Sequence, residues 1–372
     1  MATCWLLTAV SLLRFKWLFM SAKLRLAING YGRIGRCFLR ALYESPARKH
    51  FEIVAINEPA DLDSMTYLTR FDSTHGVFPG QVDQGDQTLI INGHEIKVTH
   101  ADTPEGVNWR SYDLDVLIEC SGRYSQRNQL MRFIAAGCPR LLLSHPADGA
   151  AEVDRTVVFG INEHALMAND ILVSNASCTT NAIVPVLAAL NQAFELDSAF
   201  LTTLHSVMND QPLIDGYHRS DLRRTRSAMQ SIVPVSTGLA KGVERLLPEL
   251  AGKVVAKAIR VPTLNVSAID LMVTTGRPVS VETVNEQMQI LADNAAHLVA
   301  CSSHPHASID FNHNPHSAII DASQTRVNGQ NFVNLLVWFD NEWGFANRLL
   351  DTLGHWATQL STHRLARHKQ PA

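Results

Sequence analysis

The sequence predicts an α/β protein of two domains, a doubly wound parallel-sheet domain followed by an α+β domain on a mostly antiparallel sheet. Three observations predict it. A glycine-punctuated turn near the start joins an apolar run to an apolar-periodic stretch. Short, nearly continuous apolar runs then alternate with polar or helix-like segments as far as residue 177, as strands covered on both faces require. Beyond residue 178 the runs lengthen and alternate, as strands with one covered face do.

A chain of 372 residues is long enough for two cores of ordinary size. Hydrophobic residues make up 46% and charged residues 18%, the balance of a soluble globular protein. With 32 basic against 35 acidic side chains the net charge is −3, so neither a nucleic-acid surface nor an anionic-membrane surface is expected. The six cysteines (Cys4, Cys37, Cys120, Cys138, Cys178, Cys301) are scattered, without a CxxC pair. That spacing argues against a disulfide framework or zinc site and for a reducing, cytoplasmic setting.

Residues 1–19 are apolar and aromatic, with Arg14 and Lys16 inside the run. A signal peptide carries its positive charge ahead of the apolar stretch, and a membrane span needs about 20 uninterrupted apolar residues. The segment is therefore read as an extension outside the fold, with Met20 as the expected native start. Residues 24–29 form the first buried strand, 34–44 a helix and 51–57 the next strand, together one βαβ unit. Further parallel strands are expected at 116–120, 141–144, 157–160 and 171–174. In the second half the expected strands are 199–205, 254–261, 267–274 and 332–339. From about Glu342, Phe345, Leu349, Leu353, Trp356 and Leu360 fall at helical spacing, which predicts a long amphipathic helix. The expected divisions are 20–177, 178–341 and a tail 342–372.

Gly30-Tyr31-Gly32-Arg33-Ile34-Gly35 matches G-x-G-x-x-G between a predicted strand and a predicted helix. In that setting the glycines make a tight turn, admit a pyrophosphate against the backbone and let helix and strand pack closely. The helix N-terminus supplies N–H donors to the phosphates. Glu58, 23 residues past Gly35 and just beyond the second strand, stands where a carboxylate accepts from a ribose diol. The first domain is thus a Rossmann nucleotide-binding domain, and the carboxylate with no following Arg or Lys selects NAD.

Cys178 lies where a polar turn becomes an apolar helix, a position that favours thiolate, the nucleophilic form. His205 ends a predicted strand and is expected to pair with it, lowering the thiol pKa and moving protons. Cys37, Cys120 and Cys138 sit in apolar helix or strand surroundings and read as core. His304, His306, His313 and His316 lack the carboxylate or cysteine partners of a zinc site, and no metal is expected. A Cys–His hydrolase without a redox step, or a nucleotide-binding protein without catalysis, would leave respectively the glycine turn with Glu58 and the Ser-Cys-Thr-Thr segment without a role.

From Lys23 onward these residues resemble the phosphorylating glyceraldehyde-3-phosphate dehydrogenases and their relatives. Asn175-Ala176-Ser177-Cys178-Thr179-Thr180-Asn181 carries the resemblance, with the nucleotide turn Asn29 to Arg36 and the segment Trp338 to Phe345. It implies Cys178 and His205 as catalytic residues and Asn341 as a nicotinamide contact. It further implies Ser177, Thr179, Thr237, Gly238 and Arg260 as substrate residues, a sugar phosphate as substrate, a homotetramer, and a tail helix packed on the nucleotide domain.

Within the family the closer resemblance is to the branch that oxidises erythrose 4-phosphate. Leu141 to Pro146, His205 to Gln211, Tyr217-His218 and Asp221 to Arg226 carry it. Met208 and Asp210 stand where the glyceraldehyde enzymes place phosphate-holding threonines, and neither donates a hydrogen bond to phosphate. Ser236-Thr237-Gly238-Leu239-Ala240-Lys241 instead resembles the anion-binding stretch of the phosphorylating enzymes.

Overall fold

The computed structural model describes residues 23–219 and 221–367. The expected extension at residues 1–19 lies outside the described residues. The chain forms two compact units, one running to Ser177 and resuming at Ala346, the other Cys178–Phe345.

The first unit is built on β1 (Leu24–Asn29), α1 (Arg33–Glu44) and β2 (Phe51–Asn57), followed by α2 (Leu62–Arg70). A two-residue pair, β3 (Phe71–Asp72) with β4 (Gly76–Val77), stands apart from the main sheet. An antiparallel run β5 (Val82–Gly85), β6 (Thr88–Ile91), β7 (His94–Thr99) comes next. Then come β8 (Val116–Glu119), α3 (Arg127–Ala135), β9 (Leu141–Leu143), β10 (Arg155–Thr156) and β11 (Leu172–Ser174). The nine-stranded order is β10-β11-β9-β8-β1-β2-β7-β6-β5. From β10 to β7 every pair is parallel, with β6 and β5 added as an antiparallel flap. The order turns at β1, which has β2 on one side and β8 on the other, so a switch-point crevice opens beyond its carboxyl end. Trp109, Phe133 and Leu141 anchor a core beneath the sheet.

The apolar stretch 157–160 is not a strand. The paired residues are Arg155 and Thr156, and Asn162 stops the ladder by accepting from Val158 N at 2.8 Å while donating to the Thr156 carbonyl at 2.9 Å. Val157 donates its N–H to the Ser174 carbonyl at 2.8 Å as the last bond to β11, and beyond it the residues are apolar because they are buried, not because they pair.

The second unit opens with α4 (Cys178–Phe194) and continues through β12 (Leu196–His205), β13 (Val233–Val235), α5 (Leu239–Leu246), β14 (Val254–Arg260), β15 (Ser267–Thr275) and α6 (Val281–Asn294). It closes with β16 (Val299–Ser302), β17 (Ala318–Asp321), β18 (Arg326–Asn328), β19 (Phe332–Phe339) and the start of α7 (Trp343–Arg367). The sheet order is β13-β14-β12-β15-β19-β17-β16, with β18 paired to β19. Only β12/β14 and β16/β17 are parallel, so the sheet is mostly antiparallel. The in-out alternation of β19, and of β15 from Ile269 onward, reflects one face covered by α4. Pro234 is tolerated because β13 is an edge strand.

From Ala346 onward α7 belongs to the first unit. Leu349, Leu353, Trp356 and Leu360 are buried, and Trp356 donates from its indole to the Met167 carbonyl at 3.1 Å. Thr352 Oγ1 donates to Asn175 Oδ1 at 2.7 Å. No helix of the described residues is long and apolar enough to cross a membrane.

Candidate active site

In the second unit the sheet brings four strand ends to one edge. His205, the last residue of β12, is the register partner of Arg260, the last of β14. Ser267, the first of β15, is opposite Phe339, the last of β19. Cys178 is the first residue of α4, so its thiol sits at the donor-rich end of that helix. Its Sγ lies 3.8 Å from His205 Nε2 and 3.8 Å from Thr179 Oγ1, and both cysteine and histidine are half-buried.

His205 Nδ1 is 2.8 Å from the Ser206 carbonyl, an acceptor, so Nδ1 carries the proton and Nε2 presents a lone pair to the sulfur. Arg260 Nη1 donates to the same carbonyl at 3.3 Å. Burial holds the imidazole down to about 4, with the Arg260 charge as second cause, so the ring is a neutral base at pH 7. Burial also raises the Cys178 thiol, against hydrogen bonding by Thr179 and the positive charge of Arg260. The expectation that His205 lowers the thiol pKa is thus corrected. An uncharged ring has no electrostatic hold on a thiolate, and its contribution is to take the proton when the sulfur attacks.

Asn341 is placed by two hydroxyls. Ser206 Oγ donates to its Oδ1 at 3.0 Å and Ser267 Oγ at 2.8 Å, which leaves Nδ2 as the end that donates outward. Val266, immediately before Ser267, has φ 65°, a strained conformation for a β-branched residue. Ala176, two residues ahead of Cys178, has φ 56°. Thr237 Oγ1 accepts from Leu239 N at 3.2 Å and Gly238 caps α5. A Cβ at Gly242, one turn further, would stand 3.4 Å from Thr180 Oγ1, so α5 lies along the first turn of α4. Ser177 is the last residue of the first unit and is half-buried.

Sequence reasoning missed what orients these groups. Ser206 and Ser267 hold Asn341 from 135 and 74 residues away, and no local pattern marks them. Nor does the sequence mark the partner of Asp210, whose Oδ2 accepts from Arg224 Nη1 at 2.9 Å. The four histidines at 304–316 are spent elsewhere. His313 stacks on Trp343 with centroids 3.7 Å apart, and His316 is 2.7 Å from Asn314 Oδ1. His306 is 3.5 Å from Asp310 and 5.8 Å, centroid to centroid, from His304.

The first unit carries its own cleft, lined by Asn29, Gly30, Gly32, Glu58, Ser121 and Thr103 among others. Gly30 has φ 87°, and a Cβ there would lie 2.5 Å from Ser121 N. A Cβ at Gly35 would collide with the Gly30 carbonyl. At Gly32 a Cβ would meet nothing within 4 Å. The fold demands the first and third glycines, whereas the second is open toward a ligand, as a pyrophosphate at the α1 N-terminus requires. Glu58 Oε2 accepts from Tyr31 N at 2.6 Å, which ties the acid to the turn. Tyr31 itself is buried, with its hydroxyl 2.9 Å from Thr69 Oγ1. Arg33 is engaged bidentately by Asp72 at 2.5 and 3.2 Å, and Ile34 is half-buried on α1. Beneath the turn, Asn29 Nδ2 donates to Glu119 Oε2 at 2.6 Å, and burial lifts the Glu119 carboxyl to about 7.

A dinucleotide cleft in a doubly wound unit and a cysteine–histidine pair at a helix N-terminus in an antiparallel-sheet unit define a two-domain, NAD-dependent oxidoreductase. Residues 24–127 match the family model of the glyceraldehyde 3-phosphate dehydrogenase NAD binding domain, and residues 177–341 match that of the glyceraldehyde 3-phosphate dehydrogenase C-terminal domain. The chain belongs to the glyceraldehyde-3-phosphate dehydrogenase family.

Proposed function

We propose that the protein is a D-erythrose-4-phosphate dehydrogenase, oxidising its substrate to 4-phosphoerythronate through a thioester on Cys178 that water cleaves. The observation that carries this reading is Asp210. By the resemblance it stands where the glyceraldehyde enzymes carry a hydroxyl donor, five residues past His205, and its carboxylate is paired with Arg224.

Cys178 Sγ attacks the aldehyde carbon while its proton passes to His205 Nε2, and the carbonyl oxygen is stabilised by the Cys178 backbone N–H and the protonated ring. The thiohemiacetal hydroxyl returns its proton to His205 as the carbonyl re-forms. Bound NAD supplies the acceptor for the hydride. Asn341 Nδ2, aimed by Ser206 and Ser267, holds the nicotinamide carboxamide, and Glu58 with residues 30–35 holds the adenosine side. Arg260 and Thr237 hold the substrate phosphate, with Ser177 and Thr179 beside the reacting carbon. That remote grip supplies binding energy for orientation at the reacting centre. His205 releases the hydroxyl proton to solvent. Water then attacks the thioester and gives a proton to the free Nε2, the C–S bond breaks to the thiolate, and the sulfur takes the proton back from His205 as the acid is released.

The same reading makes the enzyme a cytoplasmic homotetramer acting in pyridoxal 5′-phosphate biosynthesis, on the strength of the resemblance alone. A second reading, phosphorylating glyceraldehyde-3-phosphate dehydrogenase, is favoured by Thr237 and Gly238 at the head of α5, where an anion finds helix N–H groups. Turnover on each aldehyde, with and without inorganic phosphate, separates the two. Phosphate-independent NADH formation from erythrose 4-phosphate supports the first, and a strict phosphate requirement with glyceraldehyde 3-phosphate preferred overturns it.

A further inference from the structure

Behind the glycine cleft the sheet carries an acid shut off from water. Glu119, the last residue of β8, is fully buried. Its Oε2 accepts from Asn29 Nδ2 at 2.6 Å, and its Oε1 accepts from Ser121 N at 2.7 Å and from the Ser121 hydroxyl. No cation is among these partners. Asn57 Nδ2 donates to Asn29 Oδ1 at 2.8 Å, so the acid and the ends of β1 and β2 form one hydrogen-bonded row. Asn29, Asn57 and Ser121 line the cleft, and Gly30 backs on Ser121 so closely that a Cβ would lie 2.5 Å from its nitrogen. The acid thus stands one residue behind the wall that a pyrophosphate approaches.

We propose that NAD binds together with a proton, which Glu119 takes up from solvent, and that this proton frees the Ser121 hydroxyl to donate into the cleft. The inference rests on the NAD cleft and not on the choice of aldehyde. One argument is electrostatic. A buried carboxylate without a counter-cation repels the anion brought to the head of α1, and protonation removes that repulsion. The other is stereochemical. A serine hydroxyl has one proton, and an ionised carboxylate only accepts, so Ser121 commits its proton to Oε1 while Glu119 is charged. A protonated Oε1 donates to Ser121 Oγ instead, still accepts from Ser121 N, and turns the serine proton outward. Burial lifts the carboxyl to about 7, so the proton is within reach at neutral pH. Across the strands, Glu119 is opposite Asn29 on β1 and Leu143 on β9, neither of which titrates. Cys120, Tyr124 and Cys138 lie within its electrostatic reach, and burial raises all three, which leaves them uncharged. On α1, Arg33 is paired with Asp72, and Arg36 donates to the Tyr31 carbonyl at 3.2 Å. Glu58, Asp102 and Arg123 are the charged side chains lining the cleft, and exposed His100 has its Nδ1 2.9 Å from the Glu58 carbonyl.

The test is calorimetric titration of the full chain with NAD at about pH 7.5 in HEPES and in Tris, whose different ionisation enthalpies reveal the protons taken up. Between about half and one proton per NAD is expected. Because binding raises the pKa of the acid, affinity is greatest below the pKa of the unliganded protein and falls as pH rises, so Kd should increase roughly tenfold from pH 6 to pH 8.5. Glu119→Gln, which cannot ionise, should take up no proton and bind with a Kd that is flat over that range. Ser121→Ala should weaken binding at pH 6 and leave it nearly unchanged at pH 8.5, where the wild-type hydroxyl is already committed to the carboxylate. Wild type that binds NAD without proton uptake overturns the proposal, and this measurement stands even if Glu119→Gln fails to fold. A folded Glu119→Gln protein that keeps the wild-type pH dependence also overturns it, by assigning the proton to His100. An equal loss at both pH values in Ser121→Ala overturns the role given to the hydroxyl.

Discussion

Gly32 separates what the fold needs from what the cofactor needs. Its φ of −71° is open to any residue, and a Cβ there would meet no protein atom within 4 Å. Gly32→Ala therefore costs little stability. A less entropic unfolded chain contributes about 0.4–1 kcal/mol in favour, and a poorer N-cap offsets a similar amount. Gly30→Ala is different. At φ 87° a side chain costs roughly 1–2 kcal/mol, and its Cβ would sit 2.5 Å from a Ser121 nitrogen that is fixed by its 2.7 Å hydrogen bond to Glu119. In Gly32→Ala the methyl instead fills the space where the backbone approaches the pyrophosphate. Loss of one charge-assisted hydrogen bond, about 1.5–3 kcal/mol, raises the NAD Kd by roughly ten- to a hundredfold. Calorimetric titration with NAD and thermal melts without it should show Gly32→Ala melting close to wild type but binding poorly, and Gly30→Ala melting well below. A Gly32→Ala protein that binds NAD with the wild-type Kd would refute the reasoning.

Three further outcomes are expected. NAD should be strongly preferred to NADP, because Glu58 repels a 2′-phosphate and Pro59 and Ala60 offer it no cation; comparable rates at matched concentration would remove Glu58 from the ribose. His205→Asn should slow alkylation of Cys178 by iodoacetamide at neutral pH about tenfold, since the thiol loses the base that takes its proton, and an unchanged rate excludes that role. Glu119, raised to about 7, binds a proton in the folded unit at pH values where the unfolded chain is ionised. Its stabilising contribution is therefore complete below the ordinary carboxylate pKa and is lost as pH rises through about 7, by on the order of 3 kcal/mol. The stability of wild type relative to Glu119→Gln should fall between pH 5 and pH 8, and a pH-independent difference in Tm would contradict this.

How much was legible follows from how local each signal is. The strand at 51–57 and the strand at 332–339 end where the sequence says, because an apolar run flanked by turn residues reports burial and pairing together. The flap β5 to β7 was missed although Asn92-Gly93, both at positive φ, is a hairpin signal. Its strands read Val-Asp-Gln-Gly and His-Glu-Ile-Lys-Val-Thr, the polar pattern of a sheet margin facing water. At 157–160 the apolar signal overreaches, since after the Val157 N–H bond to Ser174 the residues bury without pairing as Asn162 closes a turn. Cys178 and His205 were readable because a helix start and a strand end are local features. The Ser206 carbonyl that fixes the tautomer and the Arg224 that holds Asp210 depend on the tertiary path of the chain, which periodicity does not encode.

The segment that delivers Cys178 to the helix is itself held from far along the chain. Thr352 Oγ1 donates at 2.7 Å to Asn175 Oδ1, and both residues are fully buried in the first unit. Asn175 leads into Ala176 at φ 56°, Ser177 and then the nucleophile, so a strained turn of three residues inherits its position from α7. Thr352→Val preserves shape and volume but removes the donor, which leaves a buried acceptor without this bond at a cost of about 1–3 kcal/mol. For a domain of this size that lowers Tm by roughly 2–4 °C per kcal/mol. If the bond also sets the sulfur, kcat should fall several-fold and Cys178 alkylation should slow, while the NAD Kd stays at its wild-type value because the glycine cleft is untouched. The substitution thus divides two roles. A lower Tm with kcat and alkylation both unchanged means that Thr352 only stabilises the first unit, and that the position of Cys178 is set within α4 alone.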